Sequence, residues 1–250
     1  PHGTQAIPSQ EAHRLRDWIS VLVITVGGDG TILRGVSFCT PAGIPIVGII
    51  MGRLGFLTEL QLDEAMERLP SCFNEGSRID ERNMLQATVI RANSAATDGP
   101  YHALNDVVLT RGEASRVVTV AGTIDKAPVT TFRADGVIMS TATGSTGYNL
   151  AVGGPILDPE SDSLVLKTVA AHMGLSAALV LKPSTEVSLT LEGYQTAILA
   201  VDGIVDHPLG LGDQVDLKQS PYKARFLRAH PPSYFFGTLT RRLGFSIRGQ

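Results

Sequence analysis

The sequence has no long apolar run, very little cysteine and no dominant charge, and each lack removes a class of function. Its longest uninterrupted apolar stretches fall far short of the ~20 residues that a membrane helix requires. Acidic and basic residues are mixed along 250 residues and leave a net charge of −3. That balance gives no electrostatic footprint for nucleic acid or for an anionic membrane. Cysteine occurs twice, as Cys39 and Cys72. Two lone cysteines in a chain of this length read as reduced thiols, not as a disulfide framework. The six histidines show no H-x-x-x-H or comparable spacing, which argues against a structural zinc and leaves no metal-ligating residue to name. The opening Pro1-His2-Gly3-Thr4 is polar and carries no signal-peptide pattern, so a cytoplasmic protein is expected. Familiar nucleotide signatures are missing too. G-x-x-x-x-G-K-[ST] is absent, and a G-x-G-x-x-G beginning at Gly28 would need glycine where Leu33 stands. Without H-R-D or D-F-G, the chain is not a protein kinase.

What is present is Gly27-Gly28-Asp29-Gly30-Thr31, directly after the apolar run Val21-Leu22-Val23-Ile24-Thr25-Val26. That run is short, uncharged and β-branched, and reads as a buried parallel strand. The glycines let the backbone turn sharply and approach a ligand. Thr31-Ile32-Leu33-Arg34 reads as the first turn of a helix, which would aim amide N–H groups at an anion above the loop. Asp29 sets this loop apart, because a carboxylate repels a phosphate unless it binds a metal or accepts a proton. A phosphate loop that carries its own acid points to phosphoryl transfer, with a glycine-rich βα turn as the plainer alternative.

The organisation changes near residue 80. Residues 1–80 read as an α/β domain with a parallel sheet. It comprises a short helix over Glu11–Ser20 with Leu15, Trp18 and Ile19, the strand from Val21, a helix to about Cys39 stopped by Pro41, a strand over 46–50, and a helix from Leu62 to Leu69 closed by Pro70. Residues 81–229 read as a mainly-β, layered, sandwich-like domain. Its many short strands include Leu85–Arg91, Val107–Thr110, Val117–Ile124, Val137–Ser140, Ala177–Leu181, Glu186–Leu191 and Ala197–Val201, with one clear short helix starting near Ser145. The tail over 230–250, from Pro231 through Tyr234, Phe235, Leu239 and Leu243 to Phe245, reads as an amphipathic helix with Arg241 and Arg242 on its polar side. So long a β region has edges to cover, which predicts a homo-oligomer.

Further segments carry a family resemblance over about Val21 to Phe245. Met51-Gly52-Arg53-Leu54-Gly55-Phe56-Leu57-Thr58 follows the second strand, and Asn105-Asp106 opens a later one. Asp135-Gly136 leads into Thr143-Gly144-Ser145-Thr146-Gly147-Tyr148, then Gly153-Gly154-Pro155-Ile156, and Asp202-Gly203 comes late. In this order the chain resembles the NAD kinase family. The GGDGT loop alone is shared with lipid kinases and phosphofructokinases; joined to TGSTGY and GGPI it is specific.

The resemblance implies transfer of the γ-phosphoryl of ATP to the 2′-hydroxyl of the adenosine ribose of NAD. It also implies Mg²⁺, a second domain that binds NAD, a tail that packs back on the first domain, and a homodimer or homotetramer. Asp29 is the expected catalytic carboxylate, orienting the acceptor hydroxyl and taking its proton. Gly27, Gly28, Gly30 and Thr31 would cradle phosphates. Arg53 would fork onto a phosphate or sit as a solvated loop arginine. Phe56 would meet a ligand ring or anchor its loop. Asn105 and Asp106 would read an adenine edge and a ribose diol, or cap a turn. Thr143, Ser145, Thr146 and Tyr148 would form the acceptor pocket, with Ser145 also able to cap the helix. Asp135 matches a residue that reaches an adenine, in some members across a subunit interface. Asp202 is either near the site or simply a hairpin residue.

Departures from the family pattern are Gly147 for alanine, Ala151 for serine, Ile50 for asparagine, and no proline before His172. The glycine loop also falls early, and the chain opens without Met, so a missing first strand and helix are expected. Two alternatives stand beside the kinase reading: a catalytically weak NAD(P)-binding or regulatory module, and a GGDGT lipid kinase.

Overall fold

The computed structural model describes residues 22–70, 78–113, 116–193 and 196–244. The helix expected over Glu11–Ser20, Val21, Cys72 and the tail residue Phe245 lie outside them. The chain forms two units, Pro1–Glu81 with Ala224–Gln250, and Arg82–Lys223. The first contains β1 (Val23–Val26), α1 (Asp29–Cys39), β2 (Ile46–Ile50), β3 (Leu60–Gln61) and α2 (Leu62–Arg68). β4 (Arg78–Ile90) carries the chain into the second unit. There follow β5 (Thr97–Ala103), β6 (Asp106–Arg111), β7 (Val118–Ile124), β8 (Ala127–Ala134), β9 (Gly136–Ser140), α3 (Tyr148–Ala151), β10 (Leu164–Val169), β11 (Leu179–Leu181), β12 (Val187–Glu192), β13 (Ala197–Val201) and β14 (Val205–Leu209). β15 (Gln214–Arg228) returns to the first unit, where α4 (Tyr234–Arg242) follows.

In the first unit β2 is buried at every residue, as an uncharged strand covered on both faces must be. β1 runs parallel to it from Val23↔Ile46 to Val26↔Ile49. β3 pairs parallel through Ile49↔Leu60, and the end of β15 through Phe226↔Ile46. The predicted parallel sheet is therefore present, but β1, expected to be buried, exposes Ile24 and Val26. Helix α1 buries Ile32, Val36 and Cys39, a stripe at helical spacing, and gives way to a 3₁₀ turn over Thr40–Ala42. Helix α2 begins with a reciprocal cap between Gln61 and Glu64, an arrangement worth roughly 1 kcal/mol.

The second unit is an antiparallel sandwich. Among the described residues one sheet has the order β11-β10-β9-β6-β13-β14. Facing strands come from β15-β12-β7-β8 and from the β4–β5 pair. Alternation puts Val118 and Val120 of β7, Leu189 and Leu191 of β12, and Leu199 and Val201 of β13 into one core with Met139 and Leu164. Three expectations change. The strand over Leu85–Arg91 lengthens to Arg78–Ile90. The strand over Ala177–Leu181 shortens to Leu179–Leu181. The single helix near Ser145 becomes a 3₁₀ turn over Thr143–Thr146 and then α3, because Gly147, at φ −92° and ψ −127°, interrupts the helical run. Among the described residues no helix is long and apolar enough to cross a membrane.

Leu189 is 1% exposed at the centre of the sandwich. Leu189→Ala is expected to cost about 2–5 kcal/mol in urea unfolding, and a loss under about 1 kcal/mol would contradict this packing.

Candidate functional site

The first unit places the glycine loop between β1 and α1. Gly27 takes φ +149°, a backbone state that an L side chain rarely adopts, and donates its N–H to Ile49 O at 2.9 Å. That amide continues the β1–β2 pairing, so it is withdrawn from the expected phosphate cradle. Helix α1 begins at Asp29 and not at Thr31, with Gly28 as its N-cap and no side-chain cap. Thr31 lies inside the first turn and donates its N–H to Gly28 O at 2.9 Å. The amides of Gly28, Asp29 and Gly30 stand at the positive end of the helix, where no intrahelical acceptor exists.

Asp29 is tied to the second loop. Its Oδ2 accepts the Phe56 N–H at 2.8 Å and its Oδ1 accepts the Leu57 N–H at 3.1 Å. A Cβ at Gly55 would overlap the Asp29 carboxylate, so glycine is required for this approach. Thr58, fully buried, accepts the Gly55 N–H and closes the turn. The Phe56 ring packs at a tilt 6.2 Å from Phe235, with the Arg242 guanidinium 5.9 Å from its centroid. It anchors its loop on the C-terminal helix. Arg53 is exposed on the same loop, beside Gly244. The expectation that Arg242 lies on the polar side of the tail is corrected. Only Arg241 is exposed; Arg242 is 9% exposed and donates to Gly55 O. A residue at the last turn faces inward here because the loop carbonyls supply acceptors.

In the second unit Asp202 organises the loop before β6. Its carboxylate accepts the N–H groups of Leu104, Asn105 and Asp106 at 2.7, 2.8 and 3.1 Å. Burial pushes its pKa up, against three N–H bonds that favour its charge. Asp202 itself sits at φ +51° in the turn between β13 and β14, so it is a hairpin residue and a loop organiser at once. The segment 140–144 locks onto the same loop. Thr141 donates its N–H to Asn105 O at 2.9 Å and its hydroxyl to Leu104 O at 2.6 Å. A Cβ at Gly144 would overlap Asn105 O. Asn105, Asp106, Val108, Thr110, Tyr148, Ala200, Asp202 and Gly203 line a cavity of about 400 Å³, a size suited to part of a nucleotide.

The other expected residues scatter. Ser145 is fully buried, donating its hydroxyl to Ala142 O at 2.6 Å and accepting the Leu157 N–H at 3.0 Å. It neither caps a helix nor lines the cavity, because its oxygen joins two chain segments. Thr146 donates to Thr143 O at 3.3 Å, and Thr143 is 7% exposed. Asp135 pairs with Arg111 at 3.1 Å, at the far end of β6 from Asp106, roughly 17 Å along the strand. It is not brought to the cavity. Asn149 was not singled out by its sequence, yet it is fully buried and donates to Ser145 O and Pro155 O, holding the GGPI segment against the TGST turn. Its position one residue after Tyr148, inside the motif block, was the available signal.

Burial, and then the nearby charge of Asp202, raises the Asp106 carboxyl to about 7. The folded chain therefore keeps a proton that the unfolded chain releases at about pH 4. The stability this proton contributes is complete below the unfolded value and is lost as pH rises through about 7. Asp106→Asn is neutral throughout. Its urea midpoint is expected to fall less between about pH 5 and about pH 8 than that of the unaltered chain. Identical pH dependence in the two proteins would contradict a shifted Asp106.

Known proteins resemble this chain in sequence and in fold. Residues 104–229 match the model of the ATP-NAD kinase C-terminal domain, and residues 7–77 match that of the N-terminal domain. The NAD kinase of Chloroflexus aurantiacus (strain J-10-fl) is 41% identical over 222 residues, covering 89% of this chain and 80% of its own. That of Dehalococcoides mccartyi (strain BAV1) is 39% identical, covering 89% and 78%. Among solved structures, yeast NADH kinase complexed with NADH superposes with a TM-score of 0.86 at 26% identity, over 97% of this chain and 71% of its own. An Archaeoglobus fulgidus NAD kinase in complex with ATP gives 0.77 at 24% identity, over 93% and 86%, a likeness of fold. Both domain models are matched in order and the relatives align over most of their length, and the chain belongs to the NAD kinase family.

Proposed function

We propose that this chain is an ATP-dependent NAD kinase, transferring the γ-phosphoryl of ATP to the 2′-hydroxyl of the adenosine ribose of NAD to give NADP and ADP. The observation that carries the reading is the Asp29 carboxylate, fixed at the N-terminus of α1 by two loop amides. Phosphoryl transfer needs positioning and charge neutralisation more than covalent help from the protein. The uncapped amides of Gly28, Asp29 and Gly30 suit phosphate oxygens. Each Asp29 oxygen accepts one N–H and keeps a second lone pair, directed by a carboxylate that cannot swing away. One of these orients a ribose hydroxyl and takes its proton late in the transfer.

The cavity of the second unit suits the acceptor. The Asn105 amide can donate and accept, Asp106 supplies a carboxyl, and Tyr148 offers a ring 43% exposed for stacking. Magnesium is expected, because it neutralises the charge of ATP when bound. Among the described residues no cluster of three His, Cys, Asp or Glu forms a metal cage. This donor set suits an ion held chiefly by phosphates and water, with Asp29 as the carboxylate available to it. Cys39 is a free, buried thiol pushed up to about 12, in keeping with a cytoplasmic enzyme. We read the assembly as a homodimer or homotetramer, in which Asp135, remote from the cavity of its own chain, serves at an interface. Arg53 is left for phosphate or solvent.

The purified chain, given NAD, ATP and Mg²⁺, is expected to form NADP, followed with an NADP-specific dehydrogenase. Asp29→Asn is expected to form it at least ~10²-fold more slowly. A folded chain that binds NAD yet makes no NADP contradicts the reading and favours a binding module.

A further inference from the structure

We infer that Arg242 of helix α4 is a positioning residue for Asp29, acting through the peptide group between Gly55 and Phe56; the inference rests on the proposed role of Asp29 in phosphoryl transfer. The peptide unit is planar and trans, so the carbonyl of Gly55 and the N–H of Phe56 belong to one rigid plate and point to opposite sides. Arg242 Nη1 donates to the carbonyl, and Asp29 Oδ2 accepts the N–H at 2.8 Å. A guanidinium that fixes one end of the plate fixes the other, and with it one oxygen of the carboxylate. Polarisation along the chain strengthens both bonds.

The guanidinium is itself held. Its Nε donates to Thr238 Oγ1 at 2.7 Å, one helical turn earlier. Its Cζ lies over two rings, 5.9 Å from the centroid of Phe56 and 5.5 Å from that of Tyr234. These hydrogen-bond partners are a hydroxyl and a carbonyl, so the charge is buried beside neutral groups. Burial, and to a lesser extent the charge of Arg228, lower the pKa of the guanidinium, and Tyr234, Asp29 and Glu59 oppose that. An apolar side chain would fill the same space at less cost. What only a forked, permanently charged donor supplies is a directed hold on Gly55 O. Arg228 holds a second carbonyl of this loop, two peptides further on, on a plate whose N–H is that of Thr58 and not one bonded to Asp29. It donates to Leu57 O at 3.2 Å while bonded to Glu59 and Asp80. The loop thus turns its amides to Asp29 and its carbonyls to two arginines from the C-terminal segment.

The test compares Arg242→Met, Arg242→Lys, Asp29→Asn and the double variant Asp29→Asn/Arg242→Met, in NADP formation and by amide hydrogen exchange. Arg242→Met is expected to lower kcat about 10- to 10²-fold, with KM for NAD and ATP changed less than about threefold. Arg242→Lys, which keeps a donor, recovers part of the loss. With Asp29→Asn already present, Arg242→Met costs less than about threefold, because the group it positions is gone. The Phe56 amide exchanges at least about tenfold faster in Arg242→Met. Multiplying losses in the double variant, or an unchanged kcat in Arg242→Met, would overturn the inference. If Arg242→Met does not fold, Thr238→Val takes its place, freeing the guanidinium from its Nε partner; the same pattern is expected at smaller size, and its absence counts against the inference. If the unaltered chain makes no NADP, the proposed reaction fails, and the Phe56 exchange rate alone decides whether Arg242 orients that peptide.

Discussion

Two loops far apart in sequence are joined by one carboxylate. Asp29 accepts N–H bonds from Phe56 and Leu57, and the arrangement of the first unit follows from that clasp. Hydrogen bonds to an ionised acceptor are short and roughly twice as strong as neutral ones. To reach it, the second loop must pass without a side chain at residue 55, must turn on the Thr58 hydroxyl, and must direct its carbonyls elsewhere. Arg228 donates to Leu57 O and Arg242 to Gly55 O, which draws the end of β15 and the last turn of α4 into the same device. A carboxylate at a helix N-terminus that accepts two loop N–H groups keeps its position, as the role proposed for Asp29 requires. That is what a transfer reaction asks of a protein that does little covalent work.

The second unit repeats the principle with a different acid. Asp202 gathers three consecutive amides, and so fixes the backbone on which Asn105 and Asp106 stand. The neighbouring Asp106 carboxyl is pushed up to about 7, first by its own burial and then by the nearby charge of Asp202. The sandwich beneath supplies rigidity: β6 and β13, which begin and end at these residues, are neighbours in the sheet through Val107↔Val201. In each unit, then, an aspartate that looks from its motif like a ligand contact also builds the loop around it.

The sequence made the strands of the sandwich legible wherever alternation was clean, as in β7, β12 and β13. β8 was missed because its hairpin turns through Asp125 and Lys126, at φ +48° and +68°, with no glycine to mark it. The parallel layer was readable from the uncharged run Ile46–Ile50 and the glycine loop after Val26. The motif residues were found, but their roles divided only on folding. Ser145 carries the same hydroxyl as Thr146, and nothing in the local pattern says that the first is sealed between Ala142 and Leu157. Arg242 looked like a solvated helix residue because its partner, a backbone carbonyl 187 positions earlier, has no signature in the side-chain pattern. Contacts between side chains and distant backbone are the part of a site that periodicity does not encode.

The measurement that bears most directly on this account is amide hydrogen exchange at Phe56 and Leu57, in the unaltered chain and in Asp29→Ala. Removing both acceptor oxygens is expected to accelerate exchange at these two amides at least about tenfold, with the strands of the sandwich unchanged. Equal rates at Phe56 and Leu57 in the two proteins would contradict the claim that Asp29 holds the second loop.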